Sequence, residues 1–411
     1  MEFLDWAQTL NIPERGLSVL DNIQSTKIRS RFPIFKHKIY LNSCSQGALS
    51  DSVENGLTDY IRSWHEHGSP WDLWVEHYEH TRRLFAEFIG ADEGEVAIVT
   101  SASAGINAVA SALDFRERKK VVLGEFEFPT MGHVWLAQSK RGADVIFIPP
   151  VDNKLPVDSY ERAVDRQTAI VPLTRVCFRN GFRSDTQAIV ELAHDQGAWV
   201  MLDDYQDCGT RPIDVKEMGV DFYVTGTLKY LLGPPGLAFL YVRRELINAL
   251  TPAVSGWFAQ SNPFAFDVKH LNLSSSARRF ESGSPPIPNV YAAGPGIELL
   301  CSTGMPQIAG HISELTGMFL NSIAGMQIQT KTPPDSVGPL IVLQAGSEDD
   351  ANAMVAALAR QNIVASSRGD GVRISLHFYN TADDIAALLQ ALERNMDLLF
   401  TRSGVSETSG G

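Results

Sequence analysis

The sequence predicts an α/β fold with two parts, a large domain built on a mostly parallel sheet between helices and a smaller C-terminal α/β domain. Apolar runs alternate with helical patterns through most of the chain, which is typical of parallel βαβ units. These runs are apolar throughout, as expected for strands that helices cover on both faces. After about residue 324 the pattern changes to short strands that alternate with helices, which indicates a separate, smaller layer.

Local patterns define each element in order. Helical periodicity predicts helices at 51–67, 73–89, 104–113 and 185–196. Apolar runs bounded by turn residues predict strands at 96–99, 121–123, 144–148, 169–173, 199–202 and 220–224. A largely helical stretch at 289–324 leads to the C-terminal part. There we expect strands near 339–343, 363–366 and 372–376, and helices near 350–361 and 382–397.

The same patterns divide the chain into four segments. Residues 1–35 form an N-terminal segment that we expect to pack on the small domain. We expect residues 36–285 to form the large domain and residues 286–402 the small C-terminal domain. Residues 403–411 are rich in Ser, Gly and Thr, a composition that predicts a disordered tail.

Composition excludes several classes of partner. The chain of 411 residues has 44% hydrophobic and 20% charged residues, as a globular protein with a sizeable core does. Its net charge of −13 argues against nucleic acid or an anionic membrane surface as a partner. No apolar stretch is long enough to span a bilayer, and no signal peptide is apparent. The four cysteines have no metal-ligand or redox spacing, so we expect a cytoplasmic protein.

A lysine and an aspartate after two of the strands carry the strongest chemical signal. Lys229 lies between the run 220–224 and a Gly/Pro-rich turn. A desolvated lysine has a lowered pKa and can form a Schiff base with a carbonyl. Asp203 follows the run 199–202, and a carboxylate there can keep a pyridinium nitrogen charged. The two groups together are those that pyridoxal 5′-phosphate (PLP) chemistry requires, although a lone lysine is more commonly an ordinary loop residue.

Three other segments offer cofactor contacts. The segment 100–107 joins a strand to a helix, and its small residues, Ala102 and Ser103 among them, suit a phosphate at the helix N-terminus. Phe128 follows a strand and can stack on a flat ring. Gln206 can hydrogen-bond the phenolic oxygen of the cofactor. The alternatives are an N-capped helix, a core phenylalanine and a turn residue.

A single arginine lies among the apolar residues of the run 372–376. A partly buried guanidinium needs an anionic partner, and its planar fork suits a carboxylate. Arg373 is therefore a candidate for substrate binding, with a structural ion pair as the alternative.

Histidines and tryptophans cluster at 64–80. His77 and His80 lie one helical turn apart, but no cysteine or ordered acidic partner is near, so we predict no metal site. A solvated helix face or an aromatic wall of a substrate pocket fits the segment better.

Taken in order, these segments resemble the class V aminotransferase family of fold-type I PLP enzymes, which includes cysteine desulfurases, kynureninases and isopenicillin-epimerase-like proteins. The resemblance runs from about residue 40 to about residue 380 and implies a seven-stranded type of large-domain sheet with PLP as the cofactor. It implies that Lys229 is the Schiff-base lysine, Asp203 the pyridinium partner and Arg373 the ligand of the substrate α-carboxylate. The implied cofactor contacts are Ala102, Ser103, Phe128, Gln206 and Thr227.

Two further segments resemble parts of this family that act across a subunit boundary. Trp257 lies in 255–258, which is similar to the kynureninase segment whose tryptophan reaches the cofactor phosphate. Ser284 lies in 283–285, which resembles a turn that a neighbouring subunit supplies to the phosphate. The resemblance therefore implies a homodimer with shared active sites. The segment 174–181 also resembles kynureninase.

Departures from the family pattern narrow the expected chemistry. The loop 365–370 lacks the nucleophilic cysteine of desulfurases, so we do not expect a persulfide-forming cysteine desulfurase. Leu228 and Met131 replace the tyrosine and aspartate of kynureninases, which argues against kynurenine as the substrate.

The kynureninase-like segments favour a lyase that cleaves an amino-acid substrate at its β-carbon. A class V aminotransferase and an amino-acid epimerase are the alternatives. A catalytically silent PLP-binding protein is a further alternative, and the combination of Lys229, Asp203 and Arg373 argues against it.

Overall fold

The computed structural model describes residue 20, residues 22–335 and residues 338–400. The tail predicted at 403–411 and most of the predicted N-terminal segment lie outside the described residues.

A short strand, β1 (Ile39–Tyr40), precedes the large sheet. Over the described part of the chain, the large sheet has seven strands: β2 (Val96–Val99), β3 (Lys120–Gly124), β4 (Asp144–Ile148), β5 (Thr168–Thr174), β6 (Trp199–Asp203), β7 (Phe222–Gly226) and β8 (Ala238–Val242). Their spatial order is β2-β8-β7-β6-β5-β3-β4. Strands β4, β3, β5, β6 and β7 pair in parallel, and β8 is antiparallel to both of its neighbours. The prediction of a mostly parallel, seven-stranded sheet is confirmed.

The central strands of the sheet are buried on both faces, which explains their continuously apolar runs. Every residue of β5, β7 and β8 is buried. Parallel strands end at the same edge, so the residues that follow β6 and β7 meet there. This edge is where Asp203 and the Lys229 loop lie.

Helices cover the large sheet and lead to the C-terminal layer. Those up to β8 are α1 (Asn22–Ser30), α2 (Asp51–His67), α3 (Trp71–Phe88), α4 (Ala102–Ala112), α5 (Pro129–Gln138), α6 (Val157–Ala163) and α7 (Thr186–Asp195). After β8 come α8 (Arg244–Ala249), α9 (Ile287–Thr303) and α10 (Met305–Gly325). The helical stretch predicted at 289–324 is divided at Gly304, whose φ of 94° suits glycine and ends a helix.

The C-terminal layer has a three-stranded antiparallel sheet in the order β11 (Ser366–Arg368), β12 (Gly371–Ser375), β9 (Leu340–Gln344). Helices α11 (Glu348–Arg360) and α12 (Ala382–Glu393) pack with it around one apolar core. Strand β10 (Ile363–Val364) pairs in parallel with β1. Residues that follow α1 are thus tied to the C-terminal layer, and the predicted boundary at residue 36 stays a prediction.

The described part of the N-terminal segment also contacts the C-terminal layer. Arg29 forms a bidentate ion pair with the buried carboxylate of Asp384, with both N–O distances at 2.8 Å. Phe32 packs against Tyr379, with ring centroids 4.8 Å apart. A bidentate pair at a partly buried position fixes orientation as well as adding energy. Among the helices described here, none combines the length and apolarity that crossing a membrane requires.

Candidate active site

The Lys229 loop follows β7 and is packed closely against three other parts of the chain. A Cβ atom on Gly47 would overlap the carbonyl oxygen of Lys229, and one on Gly209 would overlap that of Tyr230. A Cβ on Gly296, in α9, would lie too close to the carbonyl oxygen of Leu231. Only glycine permits this approach, so the backbone position of the lysine is set from three sides.

The Lys229 side chain is half-buried between aromatic rings. Its Nζ lies 4.5 Å from the ring centroid of Tyr205 and 5.9 Å from that of Phe128. Burial lowers the pKa of Lys229 to about 8, against an opposing effect of Asp203, while the arginines Arg373 and Arg368 lower it further. A substantial fraction of the amine is therefore neutral near physiological pH, the state that a nucleophile or base requires.

Asp203 ends β6 and is buried at the sheet edge beside Lys229. Its Oδ1 accepts a hydrogen bond from the Tyr205 backbone N–H at 3.0 Å. Burial raises the pKa of the Asp203 carboxyl, while that hydrogen bond and the nearby Lys229 amine lower it. The carboxylate would be stabilised by a cation close to it.

The neighbouring aspartate has a different, structural task. Asp204 is completely buried and pairs with Arg175 at 3.2 Å, and its Oδ2 also accepts from the Tyr223 hydroxyl at 2.8 Å. Asp207, one turn on, is within 3.0 Å of Arg211. This buried network supports the loop that presents Asp203, because each charge has an opposite charge close by.

Gln206 turns its amide toward the site. Its Nε2 donates to the Cys44 carbonyl at 3.1 Å, and its buried Oε1 has no hydrogen-bond partner among the described residues. Buried polar atoms without partners are uncommon in folded proteins and mark places where a ligand or water binds.

Arg373 is 2% exposed and reaches the site from β12. Its Nη2 donates to the hydroxyls of Ser45 at 2.7 Å and Ser366 at 2.9 Å, and its Nη1 donates to the Phe178 carbonyl at 3.2 Å. Across the described residues it makes no ion pair, so the alternative of a structural salt bridge lacks support. A buried guanidinium with only neutral partners favours an anionic ligand.

The predicted phosphate-binding turn begins α4. Ser101 caps this helix by accepting from the Ala104 N–H at 3.1 Å, so Ala102 and Ser103 occupy its first turn, where N–H groups have no intrahelical acceptor. The Ser103 hydroxyl donates to Thr130 at 3.1 Å. Thr227 is buried in the lysine loop and donates to the Pro234 carbonyl at 2.7 Å, so its hydroxyl already holds that turn.

Phe128 lies at the start of α5 and remains 47% exposed. Its ring packs edge-on against Phe178, with centroids 5.1 Å apart. An exposed aromatic face beside a lysine amine is suited to a planar heteroaromatic ring.

Trp257 belongs to a separate aromatic cluster. The ring of Trp257 contacts Trp71, Phe258, Phe264 and Phe266, and none of its described contacts reaches Lys229, Asp203 or Arg373. Ser284 is exposed. A cleft of about 570 Å³ beside Trp257 is lined by residues between 255 and 272 and by none of the Lys229 cluster.

The His- and Trp-rich segment packs on α9 and Trp257 instead of on Lys229. His77 stacks on Tyr291 with centroids 4.0 Å apart, and Trp71 approaches Trp257 at 6.1 Å. No group of three or more potential metal ligands occurs where the chain is described. Whether 64–80 lines a substrate pocket stays a prediction.

Sequence reasoning missed several residues that the fold brings to the site. Tyr205 lies between Asp203 and Gln206 in the sequence, and that position was the available signal. Ser45 and Ser366 gave no signal, because neither lies in a motif that indicates chemistry. The buried Glu127, whose pKa burial raises well above the ordinary value, is a further acidic group near Asp203.

Comparisons with known proteins agree with the fold and identify the family. Residues 49–388 match the profile described as "Aminotransferase class-V". The chain is 36% identical over 357 residues to "Uncharacterized aminotransferase YcbU" of Bacillus subtilis (strain 168), covering 87% of this chain and 94% of that protein. It is 28% identical over 317 residues to a kynureninase of Pseudomonas fluorescens, covering 72% and 73%. The apo structure of a cysteine desulfurase from Thermococcus onnurineus NA1 superposes with a TM-score of 0.81 at 21% identity, covering 90% and 97%.

Proposed function

The chain belongs to the class V aminotransferase family of PLP-dependent enzymes, and from this premise we propose that it is a lyase that cleaves an amino-acid substrate at its β-carbon. The predictions of a PLP-dependent enzyme and of PLP as its cofactor are confirmed by the family assignment. The roles of individual residues and the type of reaction are our proposal, and each is argued from the contacts above.

The residues at the sheet edge fit PLP. The neutral fraction of Lys229 suits attachment to an aldehyde, and the unpartnered Oε1 of Gln206 can accept a hydrogen bond from a bound group. Asp203 would pair with the ring nitrogen, Phe128 would stack on the ring, and the first turn of α4 would hold the phosphate. When bound, PLP supplies an electron sink for bonds broken at the substrate Cα.

Arg373 would hold the α-carboxylate of the substrate. Its guanidinium is buried and already oriented by Ser45, Ser366 and the Phe178 carbonyl, so little further ordering is required when a carboxylate binds. Lys229 would then remove the proton from Cα. With its pKa near 8, the amine can accept a proton and return it at physiological pH.

One observation carries the proposal of a lyase. The kynureninase-like segment 174–181 contributes Phe178, whose ring packs on Phe128 and whose carbonyl accepts from Arg373. This segment therefore connects the proposed ring-stacking residue to the proposed carboxylate ligand. Because this kynureninase-like segment lines the site, its resemblance bears on the chemistry more directly than a resemblance in residues far from the site would.

Transamination is the second candidate. The relative at 36% identity is named an aminotransferase, and one lysine that both accepts and returns a proton is sufficient for that reaction. The hairpin β11–β12 contains no cysteine, which disfavours persulfide formation. A cytoplasmic location remains part of the proposal.

We also propose a homodimer in which Trp257 and Ser284 serve the partner's site. The loop around Trp257 leaves large apolar side chains mostly uncovered, since Phe266 is 71%, Leu271 64% and Val268 95% exposed. An apolar surface of this kind on a soluble enzyme marks an association site.

Single-turnover absorption spectroscopy of the PLP-loaded protein with a panel of L-amino acids, combined with product analysis, tests the proposal. A lyase returns the cofactor to its starting spectrum and releases a fragment of the side chain. A transaminase converts the cofactor to its amine form and yields a 2-oxo acid with the side chain intact, which would overturn the lyase. Epimerisation would give neither product, only the other stereoisomer.

A further inference from the structure

Two arginines of one hairpin face the same side. Ser366 in β11 is the register partner of Arg373 in β12, and directly opposed residues of an antiparallel pair project to one face. Arg368 lies two residues beyond Ser366 on the same strand, so it projects to that face as well. The hairpin therefore presents a buried guanidinium and, one step nearer its turn, an exposed one.

Neither guanidinium has an acidic partner. Within the described ranges Arg368 donates only to the Ser367 carbonyl, at 2.7 Å, and makes no ion pair. The nearest acidic residue along the chain, Asp370, is paired with Lys331. By contrast, the arginines of the network behind β6 all lie within 4 Å of an aspartate, at 3.3 Å, 3.7 Å and 3.0 Å for Arg175, Arg183 and Arg211.

Both arginines act on the reacting lysine. Each lowers the pKa of Lys229, which places both within electrostatic reach of its amine. Arg373 also lowers the pKa of Arg368, in addition to the effect of partial burial. Although the chain has a net charge of −13, the wall of the Lys229 site formed by the hairpin carries two arginines without acidic partners. Such a concentration is unfavourable without a ligand and attracts anions.

We propose that the natural substrate is an amino acid with a second acidic group, a carboxylate on its side chain, which Arg368 binds while Arg373 binds the α-carboxylate. This inference rests on one part of the proposed function, namely that the substrate is an amino acid whose α-carboxylate Arg373 binds. Arg368 is then a specificity-determining residue: it rejects neutral side chains because they leave its charge unpaired.

Binding of simple dicarboxylates isolates this claim from PLP chemistry, because they carry no amine to react. We would titrate glutarate and its monoamide, glutaramate, into the PLP-loaded protein by calorimetry. The expected result is that glutarate binds about tenfold more tightly than glutaramate. In Arg368→Gln the two ligands should bind with equal affinity. Arg360→Gln, an exposed arginine at the end of α11, is the matched control and should keep the preference.

Equal affinity for the two ligands in the unmodified protein would overturn the inference, as would a preference that persists in Arg368→Gln. Arg368 is exposed and makes only one main-chain hydrogen bond, so its variant should fold, and a thermal melt checks this. Succinate and succinamate give a second pair that reports the preferred spacing between the acids.

Turnover separates this inference from the function on which it rests. If no amino acid reacts, the proposed function fails, while the glutarate titration still decides the role of Arg368. If neutral amino acids react as well as L-glutamate and L-aspartate, the inference fails and the PLP enzyme stands. If acidic substrates react best, Arg368→Gln should raise their KM about tenfold and change kcat little.

Discussion

The region around Lys229 and the region around Trp257 are built in opposite ways. Around Lys229 the chain supplies buried, hydrogen-bonded groups from the large sheet, the N-terminal loop and the C-terminal hairpin. Around Trp257 the side chains are aromatic and aliphatic, and several are largely exposed. In the Lys229 region most polar side chains have hydrogen-bond partners within the single chain, whereas the Trp257 region leaves apolar side chains exposed. Under the proposals above, the Lys229 region supplies the reacting groups of its own chain, and the Trp257 region supplies the surface through which a second subunit is joined and its site completed.

The strongest test of this division removes the lysine amine. In Lys229→Ala we expect the turnover number to fall about 10³-fold or more, because both the attachment point and the base are lost. Steady-state kinetics with the best substrate from the panel measures it. Lys140→Ala, at an exposed lysine just after α5, is the control and should retain full activity. Activity near the unmodified level in Lys229→Ala would remove this region from the chemistry.

Arg373 provides the next largest effect. In Arg373→Gln we expect kcat/KM to fall about 100-fold, because the buried guanidinium that we propose as the ligand of the substrate carboxylate is lost. Arg373→Lys keeps the charge but not the planar guanidinium, so its kcat/KM should lie between those of the unmodified protein and Arg373→Gln. A fall in kcat/KM that Arg360→Gln reproduces would show that the loss is unrelated to the site.

A charge on the apolar loop tests the other side of the comparison. Val268 is 95% exposed, so Val268→Glu removes almost no contact within the chain. If this surface joins two subunits, we expect the dissociation constant of the dimer to rise about tenfold, because the substitution buries a charge at the interface. Light scattering over a dilution series measures the mass. Val151→Glu, at a valine that is 50% exposed, should leave the mass unchanged. Unchanged mass in Val268→Glu would place the interface elsewhere.

The smallest expected effect is a shift in pH dependence. Under the proposed function the neutral amine of Lys229 captures PLP, so the capture rate of the apo-protein should rise with pH with a midpoint near 8. Asp203 raises the pKa of Lys229, and Asp203→Asn should therefore move the midpoint to lower pH. Stopped-flow absorption measures the rate, with Asp195→Asn, at an exposed position, as the control. A midpoint that moves upward would contradict the electrostatic coupling.

Much of the fold could be predicted because burial on both faces makes the strands apolar without interruption. The strands β2 and β4 match their predicted bounds, and Asp203 ends β6 as its position after the run indicated. Strand β7 starts two residues later than predicted. Asp221 explains the difference: its side chain accepts a hydrogen bond from the Val200 N–H at 2.7 Å, so it links neighbouring strands instead of extending one.

The site was less predictable wherever it joins distant parts of the chain. The contact of Arg373 with Ser45 spans 328 positions, and that of Gln206 with Cys44 spans 162. Serine has no periodicity or spacing that indicates such a role, so only the folded chain reveals it. The same limit applies to β1, two residues long, whose pairing with β10 no local pattern indicates.

The glycines against the lysine loop have a consequence for how the enzyme acquires its cofactor. Because Gly47, Gly209 and Gly296 already hold the loop on three sides, its conformational entropy is lost when the chain folds and not when PLP arrives. Folding and loading should therefore be separable events. A protease that cleaves after the neighbouring Tyr230 should cut the apo-protein and the loaded protein there equally slowly. The lysine loop would then have the same conformation before and after PLP binds. Sequence changes that alter substrate preference would be expected in the hairpin β11–β12 and not in this loop.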